Sequence, residues 1–221
     1  MIVVAYFGIE NECLLKGWLD CYTMSGNTAP LGLITDRETP IPAFWPGEVR
    51  IPNITNLPFR ARFPLIKADL LKAQAWLCYQ RKCLVIDIDA FPMSSLNPLL
   101  DRVDRFAMAA NARKRQYEEW PEMGLECSAG VMLMDSEDIF PRFWRHFINP
   151  RLINHPLKPF IHGQRCLTLA LREMGGGEIP WRWNAARLKG QTAVYHKGGK
   201  GKEERLAAAL DWLRRGQERS G

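Results

Sequence analysis

The sequence predicts a layered α/β fold in a single domain. Short apolar runs typical of buried strands alternate with segments of helical periodicity along most of the chain. The composition, 221 residues of which 47% are hydrophobic and 24% charged, suits a compact protein with one sizeable core. The sequence contains no internal repeat and no low-complexity segment. We therefore predict one domain spanning residues 1–221.

The individual elements follow from the same patterns. In the first half of the chain we predict a strand at 2–7, a helix ending near 24, a strand at 31–36, a long proline-rich loop at 40–58 with a short strand near 49–51, a helix at 64–80 and a strand at 84–88. In the second half we predict strands at 106–110 and 129–134, helices at 139–148 and 166–174, and a basic terminal helix at about 202–217.

The positive charge of the chain indicates an anionic ligand or surface. The formal net charge is +6, which does not distinguish a nucleotide from a nucleic acid or a phospholipid. Residues 197–221 carry seven Lys or Arg against four Asp or Glu, and Leu206, Leu210 and Leu213 share one face of the terminal helix. This helix either packs on the body with a solvated charged face or makes peripheral contact with an anionic surface such as a membrane.

The apolar segments also bear on location and redox state. The run at 2–7 is too short for a membrane-spanning helix, and no positively charged segment precedes it as in a secretory signal. The six cysteines show no CxxC pairing, and most lie in apolar periodic segments. We expect a cytoplasmic protein without a transmembrane segment, with reduced and buried thiols.

Two carboxylates stand at the end of the strand Val85-Ile86-Asp87-Ile88-Asp89. Residues two apart in a strand project to the same side, so Asp87 and Asp89 can aim at one point. Their repulsion is removed by a hard divalent cation such as Mn²⁺ or Mg²⁺. An Asp-x-Asp sequence also occurs as solvated loop carboxylates, but the apolar residues 83–86 place this pair at a buried strand end, where α/β ligand sites gather.

Six segments, in order along the chain, resemble family-8 glycosyltransferases, which include glycogenin. The segments are Lys67-Ala68-Asp69-Leu70-Leu71, residues 82–90, Leu96-Asn97-Pro98-Leu99-Leu100, residues 127–134, Gly163-Gln164-Arg165-Cys166-Leu167 and His196-x-x-Gly199-x-x-Lys202. The resemblance implies a GT-A fold with a mixed, mostly parallel central sheet flanked by helices. It also implies a metal-dependent, retaining transfer of a hexose from a nucleotide-diphosphate sugar, a UDP-hexose, to a hydroxyl acceptor.

The resemblance assigns roles to the matched residues. It places Asp87, Asp89 and His196 on Mn²⁺ or Mg²⁺; Asp87, Gly199 and Lys202 at the donor phosphates; Ser128 at the donor sugar; Gln164 and Lys202 in catalysis; and Tyr6 and Asp36 near the nucleotide. Lys67 is assigned to the diphosphate on a separate argument: the first turn of its predicted helix disfavours a cation, and a bound anion would reverse that penalty. The glycine- and lysine-rich residues 197–202 suit a diphosphate, because their backbone amides and ammonium groups can approach phosphate closely. The alternative is a mobile surface linker.

Four positions depart from the family pattern. Gly163 stands where an acid is usual, Ser128 replaces asparagine, and Glu203-Glu204 follow Lys202 in place of Pro-Trp. These changes leave the metal ligands intact but bear on the sugar, the acceptor and the closing of the C-terminal loop.

Several candidate residues keep a second interpretation. Lys67 is equally well explained as an exposed lysine, and Gln164 as a polar residue at a helix start. His162 is either a base or a hydrogen-bonded structural histidine. The segment Trp181-Arg182-Trp183 is either a sugar-stacking wall or part of the core.

Other functions compete with the transferase. A nucleotidyltransferase is expected to have a basic phosphate loop after its first strand, where this chain has the acidic Gly8-Ile9-Glu10-Asn11-Glu12. A glycosidase needs its two carboxylates on either side of a bond, which one strand does not provide. A nucleotide-sugar- or nucleic-acid-binding protein without turnover is the non-enzyme alternative. The acceptor is a glycan, a lipid-linked glycan, a protein, a small molecule or modified DNA, the last implying a DNA-base-modifying glycosyltransferase.

Overall fold

The computed structural model describes residues 1–53, 64–110, 121–149, 162–196 and 201–218. Its centre is a seven-stranded sheet with the order β3-β2-β1-β4-β7-β6-β8. The strands of this sheet are β1 (Ile2–Ala5), β2 (Leu31–Ile34), β3 (Glu48–Arg50), β4 (Cys83–Asp87), β6 (Phe106–Ala110), β7 (Cys127–Met134) and β8 (Gly177–Ile179). Neighbouring strands are parallel except where β7 pairs with β4 and β6. The predicted mixed, mostly parallel α/β sheet is therefore confirmed.

A second, two-stranded sheet brings the C-terminal part of the chain to the end of β4. Its antiparallel strands are β5 (Ala90–Pro92) and β9 (Val194–His196), and Ala90 pairs with His196. Neither strand is predicted from the sequence, and β8 is not predicted either. Each has only three residues, which is too short for an alternation signal.

Helices cover both faces of the central sheet. They are α1 (Glu12–Met24), α2 (Pro64–Ala73), α3 (Ala75–Tyr79), α4 (Asn97–Leu100), α5 (Ile139–Phe147), α6 (His162–Glu173) and α7 (Lys202–Glu218). The helix predicted at 64–80 is divided at Gln74, whose backbone N–H donates to the Leu71 carbonyl three residues earlier at 3.1 Å. This tighter turn separates α2 from α3.

The core consists of two apolar layers, one on each face of the sheet. In β1, Ile2 and Val4 face the layer that contains Trp18 of α1, while Val3 and Ala5 face the layer formed with α2, α5 and α6. Alternate strand residues point to opposite faces, and both faces are covered, so the strand is apolar throughout. This explains why the short apolar runs of the sequence predict the central strands well.

The terminal helix α7 packs against α1. A Cβ added to Gly17 would lie 2.3 Å from Leu206 Cδ2, so the helices approach closely at this glycine. Ala209 and Leu213 are buried in the same contact. The apolar face of α7 is thus packed on the body, and contact of its charged face with an anionic surface stays a prediction. None of the helices that the structure describes is long and apolar enough to span a membrane.

The cysteines fit the expected thiols in part. All six are free, and Cys21, Cys83, Cys127 and Cys166 are buried, whereas Cys13 is exposed. Burial raises the pKa of Cys21 and of Cys83 to about 12, so these thiols stay protonated near neutral pH.

Candidate functional site

The candidate site lies where the chain order of the sheet reverses. Strands β2 and β3 extend from one side of β1 and β4 lies on its other side, and the carboxyl ends of β1, β2 and β4 meet at one edge. Asp87 is the last residue of β4 and pairs in register with Ala5 of β1. Ligands of open α/β sheets bind at such an edge.

Two carboxylates and an imidazole converge there. His196 Nε2 lies 3.5 Å from Asp89 Oδ1 and 3.9 Å from Asp87 Oδ2. One ligand atom from each residue lies within 4.8 Å of the others. Carboxylate oxygens with one imidazole nitrogen suit Mn²⁺ or Mg²⁺, so these residues fit a divalent cation in chemistry and spacing.

Asn184 orients the imidazole toward the carboxylates. Its Oδ1 lies 2.6 Å from His196 Nδ1, and because an amide oxygen only accepts, Nδ1–H is the donor. The neutral ring then keeps its lone pair on Nε2, the nitrogen that faces Asp87 and Asp89. Asn184 is buried at the end of the 3₁₀ turn Trp181–Asn184. Nothing in the sequence marked it, since it matches none of the family segments.

Gly130 leaves room for this ring. A Cβ at Gly130 would lie 2.4 Å from His196 Nδ1 and Cε1 and 3.1 Å from Asn184 Oδ1. The glycine of the resemblance segment 127–134 therefore has a steric role: β7 must carry no side chain where His196 and Asn184 pack against it.

Lys72 is a site residue that the sequence did not reveal. It is 2% exposed, and its Nζ donates to Asp69 at 2.7 Å, to Asp87 at 2.8 Å and to the Ala129 carbonyl at 3.2 Å. Burial alone would lower the pKa of Lys72, but the two carboxylates raise it above its ordinary value. The Lys72 ammonium thus holds the Asp87 carboxylate in place by a direct hydrogen bond.

Two cations of the terminal helix face the other carboxylate. Arg205, which is buried, lies 3.6 Å from Asp89 Oδ2, and the half-exposed Lys202 lies 3.9 Å from it. Burial alone would raise the pKa of Asp89, but His196 in its protonated form and these two cations lower it to about 2. Lys202 is a predicted site residue; Arg205 was not predicted, and it follows the matched motif by three residues.

Lys67 pairs with Asp36, another predicted site residue. The Lys67 ammonium forms an ion pair with Asp36 and lies 3.7 Å from Glu38. Asp36 also accepts the backbone N–H of Thr39 at 2.8 Å. Burial would raise the pKa of Asp36, but Lys67 and Thr39 lower it. The structure thus brings Lys67 to the end of β2, whereas Lys72 contacts Asp87.

Two buried hydroxyl groups lack a partner at this edge. Tyr6 follows β1 and Thr35 follows β2, both are 0% exposed, and neither hydroxyl has a hydrogen-bond partner among the described residues. A buried polar group without a partner is costly, so each is suited to a polar ligand. The predicted position of Tyr6 near a nucleotide stays a prediction.

Gln164 and Ser128 are held by backbone groups of β7. Gln164 Oε1 accepts the Ala129 N–H at 3.2 Å, and Ser128 Oγ accepts the Gly130 N–H at 3.3 Å. The amide of Gln164 is therefore fixed next to the strand that carries the contact to Lys72. Gly199, the remaining predicted phosphate contact, lies outside the described residues.

His162 and the segment Trp181-Arg182-Trp183 each have two interpretations from the sequence. His162 is buried, and its Nε2 lies 3.0 Å from the Phe147 carbonyl. Trp183 is buried with Arg182 stacked 5.4 Å from its ring, whereas Trp181 is 51% exposed. Trp181 and Arg182 are therefore exposed, and Trp183 is the residue of this segment that belongs to the core.

Known proteins resemble this chain in structure, and neither a family model nor a curated protein sequence matches it. The galactosyltransferase LgtC, solved with donor and acceptor sugar analogues, superposes with a TM-score of 0.57 at 13% identity, over 96% of this chain and 95% of LgtC. The glycosyltransferase GlyE of Streptococcus pneumoniae gives 0.63 at 14% identity, over 99% of this chain but 63% of GlyE. The chain has the GT-A glycosyltransferase fold. A glycosyltransferase involved in the glycosylation of the major capsid of PBCV-1 shares this fold, with a TM-score of 0.56 at 12% identity over 94% of this chain and 97% of that enzyme.

The GT-A fold predicted from the family segments is thereby confirmed. At 12–14% identity these likenesses establish the architecture. The chemistry has to be argued from the residues at the carboxyl edge of the sheet.

Proposed function

We propose that this protein is a metal-dependent glycosyltransferase that moves a hexose from a UDP-sugar to a hydroxyl acceptor. One observation carries the proposal: Asp87, Asp89 and His196 converge within 4.8 Å at the carboxyl edge of a GT-A sheet. The tautomer set by Asn184 supports it, because the lone pair of Nε2 faces the same point as the carboxylates.

The nucleotide would lie along the ends of β1 and β2. The buried hydroxyls of Tyr6 and Thr35 offer hydrogen bonds at this edge, and Asp36 lies directly after Thr35. Lys202 and Arg205 supply positive charge on the opposite side of Asp89, where a diphosphate would be attracted.

Departure of the nucleoside diphosphate is the step that these residues assist. Negative charge grows on the leaving diphosphate, and a Mn²⁺ or Mg²⁺ ion held by Asp87, Asp89 and His196 would neutralise it. Lys202 and Arg205 are close enough to this site to stabilise the same charge. Lys72 keeps Asp87 oriented, and Gln164 would donate from its amide to a sugar hydroxyl.

Retention of anomeric configuration belongs to this proposal. The acceptor hydroxyl would attack from the face that the diphosphate leaves, with its proton passing to a donor phosphate oxygen. The carboxylates at the site support this route, since Asp69 and Asp87 are paired with Lys72, and Asp89 faces Lys202, Arg205 and the His196 imidazole. None of the three is placed as a free general base.

A two-stage experiment tests the function. Purified protein is first screened against a panel of UDP- and GDP-sugars with and without Mn²⁺ for thermal stabilisation, which measures binding to the native state. Hydrolysis of the best donor is then measured. We expect Mn²⁺-dependent stabilisation by a UDP-hexose and slow release of UDP, both lost in Asp89→Asn.

The outcomes distinguish the competing functions. Neither binding nor hydrolysis of any nucleotide sugar in the presence of Mn²⁺ would rule out the transferase. Tight binding without hydrolysis or transfer would instead favour a nucleotide-sugar-binding protein without turnover. The acceptor is to be sought among glycans, lipid-linked glycans, proteins, small molecules and hydroxylated DNA bases.

A further inference from the structure

Asp69 fills the space beside Gly163. A Cβ added to Gly163 would lie 2.4 Å from Asp69 Cβ and 2.6 Å from its Oδ2, which no side chain tolerates. Asp69 is buried on α2, and its carboxylate accepts the backbone N–H of Gln164 in the first turn of α6. The absence of a side chain at position 163 is therefore matched to the presence of Asp69.

The carboxylate of Asp69 also lies within reach of the backbone of residue 163. Within an aspartate, bond lengths and angles put each carboxylate oxygen about 2.4 Å from Cβ. Asp69 Oδ2 is 2.6 Å from the Cβ position of residue 163, which is nearly the same separation. A carboxylate oxygen can thus be supplied at this position by Asp69 on α2, as in this chain, or by an acid at position 163 on α6, as in the family pattern.

Asp69 acts on the candidate site through Lys72. The Lys72 ammonium lies between two carboxylates, with Asp69 at 2.7 Å and Asp87 at 2.8 Å. If Asp69 were removed, the buried ammonium would lose one of its two carboxylate partners and bind Asp87 more strongly. Asp87 would then be less available to a cation or would turn away from Asp89.

We propose that Asp69 is a positioning residue of the donor site, and that it replaces an acid at position 163 by supplying the same carboxylate from a different helix. Asp69 orients Asp87 through the Lys72 ammonium that lies between them. It can occupy this position because residue 163 has no side chain. The inference rests on the proposed function for its catalytic part, whereas its effect on Asp87 is measured by the binding of Mn²⁺ alone.

The test moves the carboxylate from one helix to the other. Asp69→Asn keeps the shape but removes the charge, and Asp69→Gly removes the Cβ that excludes a side chain at 163. Asp69→Gly with Gly163→Asp returns a carboxylate from α6, and Asp69→Gly with Gly163→Ala is its matched control without one. For each protein, Mn²⁺ affinity is measured by calorimetry, and kcat and KM are measured for Mn²⁺-dependent hydrolysis of the donor.

We expect Asp69→Asn and Asp69→Gly to weaken Mn²⁺ binding or lower kcat by about 10- to 100-fold, as for other groups that orient metal ligands. The Gly163→Asp double variant should recover most of this loss, and the Gly163→Ala double variant should recover none. Gly163→Asp alone should be impaired, since its carboxylate overlaps Asp69.

Two results would overturn the proposal. One is wild-type Mn²⁺ affinity and kcat in Asp69→Asn; the other is equal behaviour of the two double variants. A wild-type protein that binds Mn²⁺ but no nucleotide sugar would remove the transferase function while the Mn²⁺ affinities of the series still decide the role of Asp69. If Asp69→Gly is destabilised, the melting temperatures of the two double variants without Mn²⁺ separate a general packing defect, which both share, from loss of the carboxylate, which Gly163→Asp restores.

Discussion

The amide oxygen of Asn184 lies 2.6 Å from Nδ1 of His196, and this contact leaves Nε2 as the nitrogen that faces Asp87 and Asp89. Histidines that bind metals are commonly held in this way by a second polar group. Removing the Asn184 amide oxygen should therefore lower the affinity for the metal, although Asn184 is not itself a metal ligand.

Substitution of Asn184 should weaken metal binding. We expect Asn184→Leu to reduce Mn²⁺ affinity about tenfold or more, because the ring is free to rotate and to change tautomer. Asn184→Asp keeps an acceptor for Nδ1–H and should retain most of the affinity. Calorimetric titration with Mn²⁺ measures both. Equal affinities of Asn184→Leu and the wild type would show that the ring is oriented by other contacts.

Gly130→Ala should distort the site more than the fold. Its Cβ would lie 2.4 Å from the His196 ring, so either β7 or the ring must move. We expect the loss of Mn²⁺-dependent thermal stabilisation together with a lower melting temperature. Gly190→Ala is the matched control, because a Cβ at Gly190 meets nothing within 4 Å. The interpretation fails if the two variants respond to Mn²⁺ alike.

Arg205 should contribute to binding of the donor diphosphate. Hydrogen bonds to charged groups are worth about 1.5–3 kcal/mol, so Arg205→Met should raise the Kd for UDP by about tenfold or more. Arg214→Met changes an exposed arginine of the same helix and should leave the Kd unchanged. Titration of each variant with UDP and Mn²⁺ provides the comparison. An effect of equal size in both variants would point to general electrostatic attraction by the helix.

The Asp36–Lys67 ion pair should make stability depend on pH. The pKa of Asp36 is held below its ordinary value of 3.8, so the folded state is favoured by the ionised carboxylate above that pH. This contribution should be present near neutral pH and disappear as the pH falls below 3.8 through the lower pKa of the folded state.

Urea unfolding of Asp36→Asn from pH 7 to pH 3 measures that contribution. We expect the variant to be less stable than the wild type at pH 7 and the difference to shrink toward pH 3. Asp20→Asn, which changes an exposed acid on α1, serves as the control. A difference between wild type and Asp36→Asn that stays constant with pH would exclude the carboxylate charge as its cause.

Much of this arrangement follows from local patterns in the sequence. The strand that ends at Asp87 is predicted because both faces of the sheet are covered and its residues are all apolar. The last family segment predicts His196 as a third metal ligand beside Asp87 and Asp89. In the structure, the pairing of Ala90 with His196 brings this histidine next to the carboxylates. The bounds of these elements agree with the structure to within a few residues.

The remaining contacts depend on distances that sequence spacing does not provide. Lys67 and Lys72 both lie on α2, but five residues of helix turn them in different directions, toward Asp36 and Asp87 respectively. Arg205 and Asn184 reach the site from segments far from Asp87 in sequence. Asp69 opposite Gly163 is likewise a contact between two helices, and neither residue alone predicts it.

The pairing of β5 with β9 gives a bound cation a mechanical role in the chain. Asp89 and His196 are roughly one hundred residues apart in sequence, so an ion coordinated by both would cross-link two distant parts of the chain. Without the ion, β9 is held to β5 by a pairing of only three residues, which offers little resistance by itself. Metal occupancy should therefore determine how readily β9 separates from β5 by local unfolding, under conditions in which the central strands remain paired.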